Sequence, residues 1–183
     1  MENKLEHQLI ERCRKGESQA FSQLIKLYRR QLYSYLWRLC GSRGLADDVF
    51  QDTLIKVWKG IDRYDHKDKF SSWLFSIAHN VAIDALRKYK VRSNIIHTDE
   101  IHLYGTDSNP CSELIGAELQ EIMGEIVNNL PEKQKQVFLL REHGDMTFKE
   151  IAELINEPLN TVLGHMHYAV EKIKRALRKK DAI

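Results

Sequence analysis

The sequence predicts an all-α protein made of two small helical domains joined by a flexible linker, and three observations predict it. Apolar residues recur at three- and four-residue spacing in long runs on both sides of the middle of the chain. No stretch of useful length alternates apolar and polar residues as a half-buried strand would, and no repeat is present. Between Arg92 and Pro110 the helical period lapses and Ser, Thr, Asp, Asn and Gly gather, which divides the chain into domain 1–92, linker 93–111 and domain 112–183. With 183 residues in all, each domain can bury a modest core.

A short helix precedes Gly16. From Ser18 to Cys40, Phe21, Leu24, Ile25, Tyr28, Leu32, Tyr35, Leu36 and Leu39 share one face, and Gly41 follows as a stop. A second run, Ala46 to Ile61, gathers Val49, Phe50, Leu54, Val57, Trp58 and Ile61. A third, Phe70 to Tyr89, gathers Phe70, Trp73, Leu74, Ile77, Ala78 and Val81. In the linker Ile95, Ile96, Ile101, Leu103 and Tyr104 are more apolar than a solvated spacer requires, which suggests that it docks when the protein is engaged; a floppy, partly apolar loop is the alternative.

Beyond the linker, Ser112 can cap a helix carrying Ile115, Leu119, Ile122, Ile126 and Leu130. Pro131 suits the first position of the next helix, where a missing amide costs nothing. Thr147-Phe-Lys-Glu150 is a capping box, in which hydroxyl and carboxylate each satisfy a free amide at a helix start. A short apolar helix, a break at Asn156-Glu-Pro158 and a long helix with Val162, Met166, Ala169, Val170, Ile173 and Leu177 inward complete a helix-turn-helix.

Composition narrows the function. The 28 Lys and Arg nearly balance 26 Asp and Glu, so only their distribution can point to a nucleic-acid partner. No segment reaches signal-peptide or membrane-span apolarity, and a cytoplasmic protein with no membrane insertion is expected. Cys13, Cys40 and Cys111 form no CxxC pair, so neither a disulfide framework nor a zinc site is indicated. His165 and His167, near Glu171, sit two apart on a helix and point in different directions, while His79 and His143 are isolated in sequence. No catalytic set, metal site or cofactor is expected, and an enzyme is not the reading.

Three constellations remain. On the helix from Ala46, Asp48, Gln51, Asp52, Ile55 and Lys59 share the polar face. Acids near a helix start are favourable on local grounds, but an isoleucine among them suggests a docking surface. The loop Arg63 to Lys69, followed by Phe70, Trp73, Asn80, Asp84, Arg87 and Lys88, interleaves aromatics with cations and amides, as unpaired bases require. Phe70 and Trp73 can equally be core, and one tryptophan can serve both ends. On the last helix Asn160, Thr161, Gly164, His165 and Tyr168 face away from the core, and Lys172, Lys174, Arg175, Arg178, Lys179 and Lys180 form a basic tail suited to phosphates.

ADDVFQDTLIKVW, FSSWLFSIAHNVAIDALRK and LPEKQKQVFLLRE followed by MTFKEIAELINEPLNTV resemble, in this order, bacterial RNA polymerase sigma factors of the sigma-70 family in its extracytoplasmic-function (ECF) group. The resemblance implies a region 2 bundle in the first domain and a region 4 helix-turn-helix in the second. It implies core RNA polymerase as partner, bound through Asp47, Asp48, Gln51, Asp52 and Ile55. Single-stranded minus-ten promoter DNA would be met by Tyr64, Asp65, His66, Lys67, Lys69, Phe70, Trp73, Asn80, Asp84, Arg87 and Lys88. Duplex minus-thirty-five DNA would be met by Thr147, Asn160, Thr161, Gly164, His165, Tyr168, Lys172 and Arg175. The linker would thread toward the active-site and RNA-exit channels, and an anti-sigma factor, often membrane-anchored in this family, is implied as a further partner.

One departure stands out. Where the family has T-V-K-S-R-L, this chain has Thr161-Val-Leu-Gly-His-Met166, which exchanges two cations for Leu163 and His165 and rearranges or weakens the usual contacts. A conventional helix-turn-helix regulator that never touches polymerase is the main alternative, and it would need neither the acidic docking face nor the aromatic loop. An adaptor that binds polymerase without promoter selectivity is a third reading.

Overall fold

The computed structural model describes residues 2–65, 69–95 and 117–180. Among the described residues it holds eight α-helices, a short 3-10 turn and no strand. The first domain contains α1 (Glu2–Arg14), α2 (Ser18–Cys40), α3 (Arg43–Gly60), the 3-10 turn Ile61–Arg63 and α4 (Phe70–Ile95); the second contains α5 (Ala117–Asn128), α6 (Glu132–Gly144), α7 (Phe148–Ile155) and α8 (Leu159–Lys180).

The breaks between helices have local causes. Gly41 takes a left-handed conformation (φ 73°) and sends its amide back to the Trp37 carbonyl, closing α2 as only a residue without a Cβ does at low cost. Ser42 then caps α3 by accepting from the Leu45 amide, so this helix starts at Arg43, ahead of its first apolar residue at Ala46. Pro131 is the N-cap of α6, with an extended ψ of 145°, instead of its first helical residue. Asn156 ends α7 in the left-handed region (φ 54°), a conformation asparagine tolerates better than most side chains. Helix α4 runs past the expected end at Tyr89 to Ile95, because 90–95 contains neither proline nor glycine to stop it. The linker residues Ile96, Ile101, Leu103 and Tyr104, the cap candidate Ser112, Ile115 and Cys111 lie outside the described residues, as do the side chains of Ile95, Leu119, Ile122, Lys179 and Lys180.

Helix α2 is the axis of the molecule. It packs on α1, α3 and α4 in its own domain and on α5 and α6 of the other. Its Leu24, Leu32, Tyr35 and Leu36 are fully buried, and one continuous apolar cluster extends from Leu9 in α1 to Ile173 in α8. The two domains therefore meet face to face.

Candidate nucleic-acid interface

Helix α3 divides its side chains cleanly. Ala46, Val49, Thr53 and Val57 are buried against α2 and α4, which turns Asp48, Gln51, Asp52 and Ile55 outward, all exposed. Ile55 keeps half its surface in solvent (51%), at the centre of this acidic face. Asp47 sits at the edge, where its carboxylate accepts a hydrogen bond from the Tyr33 hydroxyl at 2.7 Å. The face is thus a preformed surface whose outward side chains are not used in the core.

The aromatic loop is built differently. Tyr64 and Phe70 are buried (5% and 1% exposed), and their rings meet edge to face at 5.5 Å. Trp73 is half-buried and completes the cluster, with centroids 5.2 Å from Tyr64 and 5.6 Å from Phe70. Gly60 leaves room for its indole, since a Cβ there would stand 3.3 Å from the Trp73 ring. The Arg14 guanidinium of α1 donates to the Tyr64 carbonyl and ties the loop down. Asp65 and Lys69 are exposed; His66 and Lys67 lie outside the described residues. Asn80, Asp84, Arg87 and Lys88 form an exposed ridge along α4, in which Arg87 pairs with Asp84 at 3.9 Å. In this arrangement the ridge and Lys69 are exposed, Lys69 pairing with Asp145 at 2.6 Å, whereas Trp73 is half-buried and Tyr64 and Phe70 are buried.

In the second domain the capping box forms as the sequence predicts. Thr147 accepts from the Glu150 amide at 3.2 Å and its own amide donates to the Glu150 carboxylate at 2.6 Å. Burial works to raise the Glu150 carboxyl, but hydrogen bonds with Thr147 and the charge of Lys69 bring it below its ordinary range. Arg141 braces the preceding turn, donating to the Met146 carbonyl at 2.7 Å and lying over the Phe148 ring. Along α8, Val162, Ala169 and Ile173 are buried, while Asn160, Thr161, Tyr168, Lys172 and Arg175 are exposed. Gly164 has open space where a Cβ would stand.

His165 has a different position from the outward one expected. Its Nε2 lies 3.0 Å from a Glu157 oxygen, and the other oxygen of that carboxylate pairs with Lys133 of α6 at 2.8 Å. The lysine bond, foremost, holds the Glu157 carboxyl below its ordinary range. His165 so braces the turn to α6, and the exposed side chains in the first two turns of α8 are uncharged: Leu159, Asn160, Thr161 and Leu163.

Two segments of this chain match family models: residues 24–92 match sigma-70 region 2 and residues 120–173 match sigma-70 region 4. The chain is 30% identical to the ECF RNA polymerase sigma-E factor of Haemophilus influenzae over 93% of its own length and 94% of the relative's. It belongs to the ECF group of the sigma-70 family. Further ECF relatives are SigW of Bacillus subtilis, 28% identical over 92% of this chain and 95% of the relative, and the sigma-E factor of Escherichia coli, 30% identical over 90% of each. Two solved structures share the fold. CnrH, in its complex with the cytosolic domain of CnrY, superposes with a TM-score of 0.65 at 21% identity, covering 96% of this chain and 98% of that one. RpoE from Bartonella quintana, in its complex with the anti-sigma factor NepR, gives 0.69 at 19% identity, covering 86% and 96%.

Region 2 of this family member meets region 4 along a seam that the sequence does not mark. Arg38 and Cys40 of α2 and His79 of α4 lie on one side, and Lys133, Lys135 and His143 of α6 on the other. Burial pushes the Cys40 thiol up to about 12, against the pull of Lys135. Burial likewise lowers Lys135 to about 8, His79, with Lys133 nearby, to about 4, and His143, with Arg38 nearby, to about 4. Each group is held in its neutral form more readily than in water, and His79 shares a 2.9 Å hydrogen bond with the buried Tyr35 hydroxyl. Among the described residues no three or more metal-ligating side chains cluster, and no helix is long and apolar enough to cross a membrane.

Proposed function

We propose that this ECF family member binds core RNA polymerase, directs it to specific promoters and opens the minus-ten element to initiate transcription, under the control of an anti-sigma factor. One observation carries the reading: the outward face of α3, where Asp48, Gln51, Asp52 and Ile55 are all exposed. An apolar side chain ringed by acids and amide is the pattern of a protein-docking surface, with steering charge around a contact residue. A conventional helix-turn-helix regulator has no need of it.

The division of labour follows from the two domains, which we place at 1–92 and 112–183 with linker 93–111; the family matches, ending at 92 and beginning at 120, support it. Region 2 would hold polymerase through α3 and meet the unpaired strand along Lys69, Trp73 and the α4 ridge, where an indole offers stacking and cations meet phosphates. Region 4 would place the start of α8 in the major groove, with Thr147 and the Lys172 and Arg175 end on phosphates. Recognition and strand opening would be the chain's part, the chemistry being left to polymerase. The solved relatives bound to CnrY and NepR support an anti-sigma partner here.

The test is capture of bacterial core polymerase by the purified chain, followed by runoff transcription on a promoter library. Binding with selective initiation is expected. Binding with no promoter preference would instead favour the adaptor reading, to which the uncharged first turns of α8 lend support, and absence of binding would leave the conventional regulator.

A further inference from the structure

We propose that Leu163, with Leu159 beside it, selects the minus-thirty-five element of this chain by meeting thymine methyl groups in the major groove. The proposal rests on the function above and names what that site reads.

Three buried residues fix which way α8 is turned. Val162, Ala169 and Ile173 face the core, so at about 100° per residue the opposite side carries Asn160, Gly164, His167 and Arg175. Leu159 and Leu163 stand one helical turn apart on the flank next to Asn160, 45% and 42% exposed. Among the described residues eight large apolar side chains are exposed, and three of them, Leu159, Leu163 and Tyr168, lie in the first ten residues of α8. The reading end of the helix-turn-helix is where the chain leaves apolar surface uncovered.

Charge is missing from the same place. Guanine is selected most often by a bidentate arginine or lysine, and residues 159–170 contain neither. His165 is turned to Glu157 at 3.0 Å, and the other oxygen of that carboxylate is held by Lys133 at 2.8 Å. His167, one turn beyond Leu163, is exposed and can serve a later base. What the first two turns offer is two leucines, an amide and a hydroxyl. Leucine matches the thymine methyl, and the Asn160 amide matches an adenine edge.

Gly164 lets the bases come close. A glycine weakens a helix, its φ here is not positive, and no atom lies within 4 Å of where its Cβ would stand. Among the described residues nothing uses that room. It lies on the outward face beside Leu163, so a surface brought from outside can approach the backbone and reach the leucine.

The charges around the patch identify that surface as duplex DNA. Lys172, Lys174, Arg175 and Arg178 are exposed further along the same helix, and Lys149 is exposed at the start of α7. Glu171, the acid within α8, is paired with Lys174 at 3.4 Å. A duplex presents phosphates on both sides of a groove floor that carries methyl groups, which is the complement of leucines between cations. The cations set affinity and its salt dependence, and the leucines set the choice of base.

The experiment uses the holoenzyme formed from the full chain and core polymerase. Runoff transcription on a promoter library defines the selected minus-thirty-five element, and each thymine in it is then replaced by deoxyuridine, which lacks only the methyl group. Replacement at one or two adjacent positions should lower promoter affinity about fourfold each, the effect of taking one methyl from an apolar contact. Leu163→Ala should lower affinity by a similar factor, lose the response to deoxyuridine at its own position and keep the wild-type salt slope. Arg175→Ala should lower that slope by about 1 and keep the response. Deoxyuridine without effect at every position, or a selected element with no thymine on either strand, overturns the proposal, while selective initiation leaves the sigma-factor reading standing. A Leu163→Ala variant that loses initiation equally on all promoters and still responds to deoxyuridine also overturns it, and assigns the leucine to a protein contact. The deoxyuridine series is run on the wild-type chain, so it decides even where a variant fails to fold. No polymerase binding, or binding without promoter preference, would remove the function above and this inference together.

Discussion

The outward face of α3 and the aromatic cluster beneath the loop to α4 are a few residues apart in sequence and are built on opposite terms. The side chains of the first, Asp48, Gln51, Asp52 and Ile55, point into solvent, and the helix keeps its place through Val49, Thr53 and Val57 on the other side. The side chains of the second, Tyr64, Phe70 and Trp73, hold the loop, the start of α4 and the end of α3 together. A partner surface can be assembled from residues the fold does not use, or from residues it cannot lose, and substitutions separate the two.

The largest effect is expected at Phe70. Fully buried and in ring contact with Tyr28, Tyr64 and Trp73, its truncation to alanine should cost about 3–5 kcal/mol of stability, read by denaturant unfolding. A loss below about 1 kcal/mol would mean that the cluster is free to serve DNA without serving the fold.

Acid provides the second contrast. The seam histidines His79 and His143 have folded-state values near 4 against an ordinary 6.5, so the unfolded chain takes up protons first as pH falls. Stability from keeping them neutral is fully present above pH 6.5 and is lost between 6.5 and 4, by about 1.4 kcal/mol per pH unit per group. A melting temperature that falls across this window in wild type, and falls less in His79→Phe, is the expected result.

On the other side of the comparison, reversing charge in Asp48→Lys/Asp52→Lys should weaken polymerase association at least ~30-fold, the equivalent of about 2 kcal/mol at a charged interface. Stability should stay within about 0.5 kcal/mol, as for most exposed positions. Wild-type affinity in this double variant would remove α3 as the docking face. The smallest effect is at a helix end: Thr147→Ala removes the capping hydroxyl of α7 and should cost about 1 kcal/mol, and on the proposed function the frayed helix start should weaken duplex binding as well.

The α3 face is legible in the amino-acid sequence because an amphipathic helix declares both faces by its period: burying Val49, Thr53 and Val57 leaves Asp48, Gln51, Asp52 and Ile55 with one direction to go. The capping box is legible for the same reason, since both partners lie within one helical turn. Phe70 and Trp73 are not, because an aromatic beside a cation-rich loop fits a core and a stacking platform equally well, and only neighbours brought from α1, α2 and α3 decide between them. His165 misleads for a related reason. Helical phase sends it outward, but Glu157 sits in the turn where its ring can reach.

From sequence alone come the all-helical class, the division into two halves, the breaks at Gly41, Asn156 and Pro158, and the resemblance that leads to the family. All of these rest on interactions within a few residues, where spacing and backbone preference are enough. Only the tertiary structure shows that region 2 and region 4 meet, that Gly124 and Gly144 make room for Arg38 and Phe75, and that His79 is buried and His143 and Lys135 partly buried where their charge is unwelcome. Steric room and desolvation are set by whatever lies across the gap, and those atoms come from residues far apart in the chain.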